Sequence, residues 1–409
     1  MKTEIYVDVS INLSSFFLKN IGLWEDNDPV DDCRRKLLRS LLVFCLIVSV
    51  LICGRDLYFT YYYNGDVLYI MSNNLSLTMS VVKVFIIIAH QEEFLGLIMY
   101  MQQHFWNVNY DFHEREILSS CKKICTIFVS GVSLIGICAM LCYIITPFFE
   151  HARRNESERV LPFNMWLKLP LSVSPYYEIM FIFQIMNLYY VGICYFCFDN
   201  IFCVMAIHLA GQFRILQYRL TTLCNTETQI SYKESESMLM KRIHRFYKKL
   251  NQYIRDHQAL INICDKLETV YTMIILIQVL VFSLLICLFG YQVFLANGPT
   301  TRRASFIFLL IGAMCLLFTF TYSCNCVMEH SDNIAIGAYS ALWTIMPMNR
   351  PGKKLRNDLI MVIMRSRRVC CLTANGFFPV SLETYTSILS TAVSYFTLLR
   401  NNVETLIEE

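Results

Sequence analysis

Charge is what this chain has least of. Lys, Arg, Asp and Glu make up only 16% of its 409 residues, while hydrophobic types reach 56%. Soluble domains carry about one quarter charged residues, so a lipid bilayer is the expected solvent and partner. The net charge of +3 gives no reason to expect nucleic acid. Catalytic signatures are missing too: no H-E-x-x-H, no Gly-rich phosphate loop with Lys, no G-x-S-x-G. His113-Glu114 lacks a second His four residues on, and the eight His are not clustered. These absences point away from an enzyme and imply no cofactor. Residues 1–36 lack a compact apolar core before a small-residue cleavage site, so the first long apolar run is expected to act as the membrane signal and stay in place. No internal repeat, low-complexity tract or Gly/Ser linker divides the sequence. A transporter would be expected to show repeats. Residues 1–409 read as one integral membrane domain.

The 18 cysteines do not read as a disulfide framework. Cys45, Cys53, Cys138, Cys142, Cys194, Cys197, Cys203, Cys287 and Cys315 lie within apolar runs, where a free Cys behaves as a small hydrophobe. Cys194 and Cys197 form a C-x-x-C without a second pair at finger spacing, so no metal site is expected.

A helical span needs about 20 apolar residues. Six runs qualify, near 37–58, 67–90, 125–149, 178–208, 268–295 and 305–325, and 381–400 is a more polar seventh. With seven spans, the N-terminal segment and the loops at 91–124, 209–267 and 326–380 share one side of the membrane. They hold 25 Lys and Arg, against 7 on the other side. The positive-inside rule then predicts an inside N-terminus and an outside C-terminus, the reverse of a G-protein-coupled receptor. Asn155-Glu156-Ser157 is a glycosylation sequon in an outer loop, and those loops contain no Cys. Within 209–267, Leu239, Ile243, Phe246, Leu250, Tyr253 and Leu260 recur at helical steps. That amphipathic stripe fits a helix lying on anionic lipid or one packing below the membrane against other inner helices.

Lys83, seven residues before His90, is the clearest ionisable residue within an apolar span; the paired acids or His that a membrane-embedded enzyme would need are not seen in the spans. Lys83 is expected to snorkel or bond between helices, or else to handle an ion or ligand. The last run carries a polar stripe at steps of four and three: Glu383, Ser387, Ser390, Ser394, Thr397, Asn401. Ile388, Leu389, Val393, Phe396 and Leu399 occupy the opposite side. Such hydroxyls either let helices approach and bond or face water as a pore wall does.

The ending "GFFPVSLETYTSILSTAVSYFTLLRNN" resembles the C-terminal signature of insect odorant receptors, with Ser394 to Arg400 matching its S-Y-F-T-L-L-R-like run. "HLAGQFRIL" at 208–216, "SLLICLFGYQ" at 283–292, "EHSDNIAIGAYSALW" at 329–343 and "LIMVIMRSRRVCCLTANGFFPVS" at 359–381 also resemble family segments. The resemblance implies an all-α seven-helix membrane protein that forms part of a ligand-gated, non-selective cation channel. It further implies a tetramer in the cell membrane of a sensory dendrite, with 209–267 and 326–380 contributing to a cytoplasmic anchor. The last span, 381–402, would line the pore, adding Leu398 as an apolar constriction and Asn402 near the outer end. A small volatile ligand would bind in the outer half of the bundle. The candidates there are Leu75, Met79, Gly136, Ala139, Met140, Tyr143, Tyr177, Phe183, Met186, Phe306, Leu310 and Ala313. The shared co-receptor type ends in T-Y-F-M-V-L-V-Q-L-K, which this chain lacks, so the expected role is an odour-tuning subunit that assembles with a co-receptor. The alternatives are a gustatory-type receptor channel and a transporter. The gustatory ending, T-Y then five apolar residues then Q-F, is not found after Thr384-Tyr385.

Overall fold

The computed structural model describes residues 9–23, 29–63, 66–106, 108–153, 161–163, 173–223, 236–295, 300–341 and 350–408. Eleven α-helices run through them: α1 (Val9–Asn20), α2 (Pro29–Tyr62), α3 (Val67–Ala89), α4 (Gln91–Met101), α5 (Phe112–Arg153), α6 (Tyr176–Thr221), α7 (Glu236–Phe294), α8 (Thr300–Asp332), α9 (Ile334–Tyr339), α10 (Arg350–Ser366) and α11 (Leu382–Glu408). A short π-helical segment, Gln102–Trp106, follows α4. The fold is all-α. The only β feature among the described residues is the isolated antiparallel bridge Thr373–Pro379.

Six helices, α2, α3, α5, α6, α7 and α8, are long and apolar enough to cross a membrane. They contain the first six expected runs. Helix α11 contains the seventh, and its hydroxyls keep it below the apolarity of the others. Several helices far exceed a hydrocarbon core of about 30 Å. Helix α7 has 59 residues, about 88 Å at helical rise. The charged stretch before its span and the span itself are therefore one continuous rod.

Helix α6 is the centre of the bundle. Residues Ile201 to Phe213 are buried without interruption on all sides, as a helix apolar around its whole circumference must be. The largest core cluster joins α6 to its neighbours through Phe202, Phe213, Leu216, Leu250, Leu260, Tyr271, Phe320, Ile334, Leu355 and Leu359. Phe202 stacks on Phe320 with centroids 4.5 Å apart. The segments 209–267 and 326–380 thus share one packed region. The α7 stripe packs inward where it is described: Phe246, Leu250 and Leu260 are buried and Tyr253 is half-buried. The side chains of Leu239 and Ile243 lie outside the described residues. Polar ties brace the same region, with Arg219 Nε 2.7 Å from Glu114 Oε1 and Gln212 Nε2 donating to Tyr110 Oη at 2.8 Å.

The approach to α11 is fixed by a tight turn. Asn375 and Gly376 have φ of 51° and 76°, the left-handed pair that an Asn-Gly turn supplies. Val380 N–H donates to Leu372 C=O at 2.9 Å and Ala374 N–H to Phe378 C=O at 3.0 Å. The turn is pinned to α7, because Asn375 N–H donates to Thr272 Oγ1 at 2.9 Å and Thr373 bonds Glu268. Cys370 N–H donates to Ser331 Oγ on α8 at 3.0 Å.

Candidate ligand cavity and polar helix face

A cavity of about 160 Å³ lies between α3, α5, α6 and α8. Each helix contributes residues at helical spacing: Asn73, Ser76 and Leu77 from α3; Ile135, Gly136, Ala139, Met140 and Tyr143 from α5; Gln184, Asn187, Leu188, Val191, Gly192, Tyr195 and Phe196 from α6; and Phe308, Leu309, Gly312, Ala313 and Leu316 from α8. Ser49 and Cys53 of α2, Phe289 of α7, and Phe163 complete the wall. Two glycines set the spacing between α5 and α6. A Cβ at Gly136 would fall 2.3 Å from the Phe196 ring, and one at Gly192 would fall 2.9 Å from Met140 Sδ. Small residues of this kind let membrane helices pack closely.

Several polar groups in the wall already have partners. Tyr143 Oη donates to Asn73 Oδ1 at 3.1 Å. Gln184 bonds both backbone groups of Phe163, accepting from its N–H at 3.0 Å and donating to its C=O at 2.9 Å. Ser76 Oγ donates to Ser72 C=O at 3.0 Å. Asn187 differs: its Oδ1 is shut off from solvent and has no hydrogen-bond partner.

Next to Tyr195 lies a buried ion pair. Lys83 Nζ is 2.9 Å from Asp199 Oδ1 and 2.8 Å from Asp199 Oδ2, with side-chain exposures of 0% and 2%. The ammonium also donates to Tyr195 C=O at 3.4 Å and sits 4.9 Å from the Tyr195 ring centroid. Gln278 Nε2 of α7 donates to Asp199 Oδ2 at 3.2 Å. Of the readings offered for Lys83, bonding between helices is the one observed, from α3 to α6. What the structure corrects is the expectation that no acid lies within the apolar spans to pair with it. Asp199 lies in "YFCFDNIFCVM", where a single acid is easily passed over. An intramembrane acid facing an intramembrane Lys is the signal that identifies the pair.

Helix α11 packs by its apolar side. Ile388 and Ala392 are buried among Phe282, Leu285, Ile286 and Phe289 of α7 and Phe306, Leu316 and Leu317 of α8. Phe396 lies against Gly290, where an added Cβ would be 3.4 Å from its ring. Ser387, Ser390, Ser394 and Thr397 are exposed, so the hydroxyl stripe packs against none of the described helices. Ser394 Oγ donates to Ser390 C=O at 2.9 Å and Thr397 Oγ1 to Ser394 C=O at 2.8 Å, the local bonding that satisfies a hydroxyl on a helix. Asn401 is also exposed. The stripe extends into apolar neighbours, with Leu398 61% and Val393 62% exposed. Val393, expected on the packing side, therefore faces outward; the packed face is narrower than the apolar pattern suggested.

Of the twelve residues proposed for the pocket, Gly136, Ala139, Met140, Tyr143 and Ala313 line the cavity, and the others lie elsewhere. Met79 is buried in the main core. Leu75 and Leu310 pack against the α7–α8–α11 cluster, where Phe306 is buried. Tyr177 stacks on Phe181 near the start of α6. Met186 is 44% exposed, and Phe183 is half-buried outside the wall. Sequence reasoning missed the polar wall residues Asn73, Ser76, Gln184 and Asn187. Gln184 and Asn187, three residues apart within an otherwise apolar run, were the available signal. Asn155 lies outside the described residues, and so does the side chain of Asn402.

The family description "7tm Odorant receptor" matches residues 65–393. The chain belongs to this odorant receptor family. Odorant receptor 10 of Aedes albopictus is 28% identical over 66% of this chain and 66% of its own length. Odorant receptor 13a of Drosophila melanogaster is 25% identical over 76% of this chain and 74% of its own length. The insect olfactory receptor OR5 from Machilis hrabei, solved in complex with eugenol, superposes with a TM-score of 0.80 over 96% of this chain and 97% of that one at 14% identity. At that identity the match speaks for the fold. The chain is a multi-pass membrane protein of a receptor family, not an enzyme.

Proposed function

We propose that this receptor is an odour-tuning subunit of a ligand-gated, non-selective cation channel, assembled with a shared co-receptor as a heterotetramer in the cell membrane. A small volatile ligand occupies the α3–α5–α6–α8 cavity, and α11 lines the pore. Segments 209–267 and 326–380 form the cytoplasmic anchor, with the N-terminus inside and the C-terminus outside. The observation that carries this reading is the two-sidedness of α11. Its apolar side packs on α7 and α8, while Ser387, Ser390, Ser394 and Thr397 turn away from the chain. Hydroxyls on that side can replace part of an ion's water shell where copies of the helix surround an axis. An exposed Leu398 there supplies an apolar ring that closes by dewetting. The ending Ser394 to Asn402, unlike that of the co-receptor, supports the tuning role.

Expression with and without the co-receptor tests this. Odour-evoked current should require both chains. A full current from this chain alone would refute the tuning-subunit assignment, and no current with the co-receptor under any volatile would refute the channel reading.

A further inference from the structure

Resting on the cavity reading, we infer that the preferred ligand is a compact hydroxyl compound, a ring alcohol, phenol or short-chain alcohol, and that Asn187 is the residue that selects the hydroxyl. Three observations lead there. The first is size. A dry apolar cavity of about 150 Å³ admits one benzene, and this cavity measures about 160 Å³. The ligand is therefore about one six-membered ring with a short substituent. The second is polarity. Gln184, Asn73 and Tyr143 are bonded within the wall, so they serve as structure rather than as free recognition groups.

The third is Asn187 itself, a wall residue whose Oδ1 is sealed from solvent without a partner. A sealed amide oxygen left unpaired is costly, and most such atoms have a partner in native proteins. A primary amide offers both donors and acceptors, and a half-turn about its terminal bond exchanges the two ends. A hydroxyl can donate to one end or accept from the other, so it satisfies Asn187 in either orientation. A methyl group of similar size satisfies neither. Sites that bond a ligand hydroxyl reject the analogue lacking it, because the site's own polar group is then stranded.

The experiment compares isosteric pairs on the full chain co-expressed with the co-receptor: 4-methylphenol against p-xylene, benzyl alcohol against ethylbenzene, and 1-hexanol against heptane. Surface amount is checked by antibody. In the natural protein the hydroxyl member should act at about ten- to hundred-fold lower concentration than its hydrocarbon partner. Asn187→Leu should collapse that ratio towards one by weakening only the hydroxyl members. Asn187→Gln should preserve part of it, and serves in place of the Leu variant if that variant fails to reach the surface. Ala139→Phe, which fills the cavity, should depress both members of every pair. Equal potency within the pairs in the natural protein overturns the inference, as does an unchanged ratio in the variant at Asn187 that reaches the surface. If those results come with a normal loss in Ala139→Phe, the cavity reading stands and only the hydroxyl selection fails. If Ala139→Phe changes nothing, the cavity reading itself fails.

Discussion

Lys83→Met removes one side of a fully buried charge pair. In the native bundle the three ammonium donors are all met, by both Asp199 oxygens and by Tyr195 C=O. Asp199 has a second donor in Gln278. Taking away Lys83 leaves a carboxylate at 2% side-chain exposure with one neutral donor. Breaking a buried pair in this way costs about 3–5 kcal/mol. Converting Asp199 to Asn as well removes the stranded charge while keeping an acceptor for Gln278, and such neutral replacements of buried pairs are often close to neutral. The singles should therefore be severe and the double mild. Detergent-solubilised protein, followed by the temperature at which its monodisperse size-exclusion peak is lost, reports the difference. At about 2 °C per kcal/mol, the lower end for larger domains, Lys83→Met should lose about 6–10 °C. The double variant should recover most of that loss. A Lys83→Met midpoint within about 1 °C of the natural protein, or a double variant as low as the two single losses added, would refute the claim that the pair acts as one unit.

If α11 lines the pore, Asn401→Asp should change cation permeability ratios and strengthen divalent block at unaltered odour preference; one added charge at about 4 Å contributes on the order of 1 kcal/mol in water and more in a narrow pore. Reversal potentials and block in matched recordings check this, and unchanged values in a channel that reaches the surface count against the pore assignment. Leu316→Ala, at a buried residue shared by the cavity wall and the α11 packing cluster, should cost about 2–5 kcal/mol of stability and alter both odour sensitivity and unliganded current; an effect on sensitivity alone would separate the two sites. An epitope after Glu409 should label on intact cells and one before Met1 should not, whereas the opposite pattern reverses the orientation.

Helix existence was legible because membrane helices announce themselves by length and apolarity. Where they end was less so. In α7 the lack of any Pro or Gly between the stripe and the span points to one continuous helix; Lys248 and Lys249 mark a change of solvent rather than a change of backbone, so hydropathy alone does not give a helix boundary. The stripe on α11 was readable from spacing alone, since Ser387, Ser390, Ser394 and Thr397 recur at steps of three and four. Which of its two uses applied within the chain was not readable, because that depends on which neighbour covers the helix. The cavity wall was the hardest part. Met79 and Ala139 are both apolar and buried, yet only Ala139 faces the void. That distinction is one of rotation about each helix axis, fixed by packing partners distant in sequence. Asp199 illustrates the same limit from the other side: its meaning depends on Lys83, 116 residues away in the chain.

The cavity and the polar helix are adjacent structures with a common wall. Phe289, Ala313 and Leu316 line the void and belong to the cluster that holds Ile388 and Ala392 of α11. A ligand that moved Phe289 or Leu316 to another rotamer would therefore change the surface on which α11 rests, without a chain of intermediates. A second tie runs from Tyr195, which lines the cavity and also packs against this cluster. Tyr195 is tied through its carbonyl to Lys83, and Lys83 to Asp199 and Gln278, so that α3, α6 and α7 are linked by charge in a low-dielectric setting where such bonds are strong. The wall next to the helix proposed to line the pore thus combines an ion-pair anchor at Tyr195 with apolar contacts at Phe289, Ala313 and Leu316. A ligand can shift a conformational equilibrium only by binding its two states unequally. If the ligand binds in this cavity, that difference would reach α11 through Phe289 and Leu316, the two side chains of the shared wall that can repack.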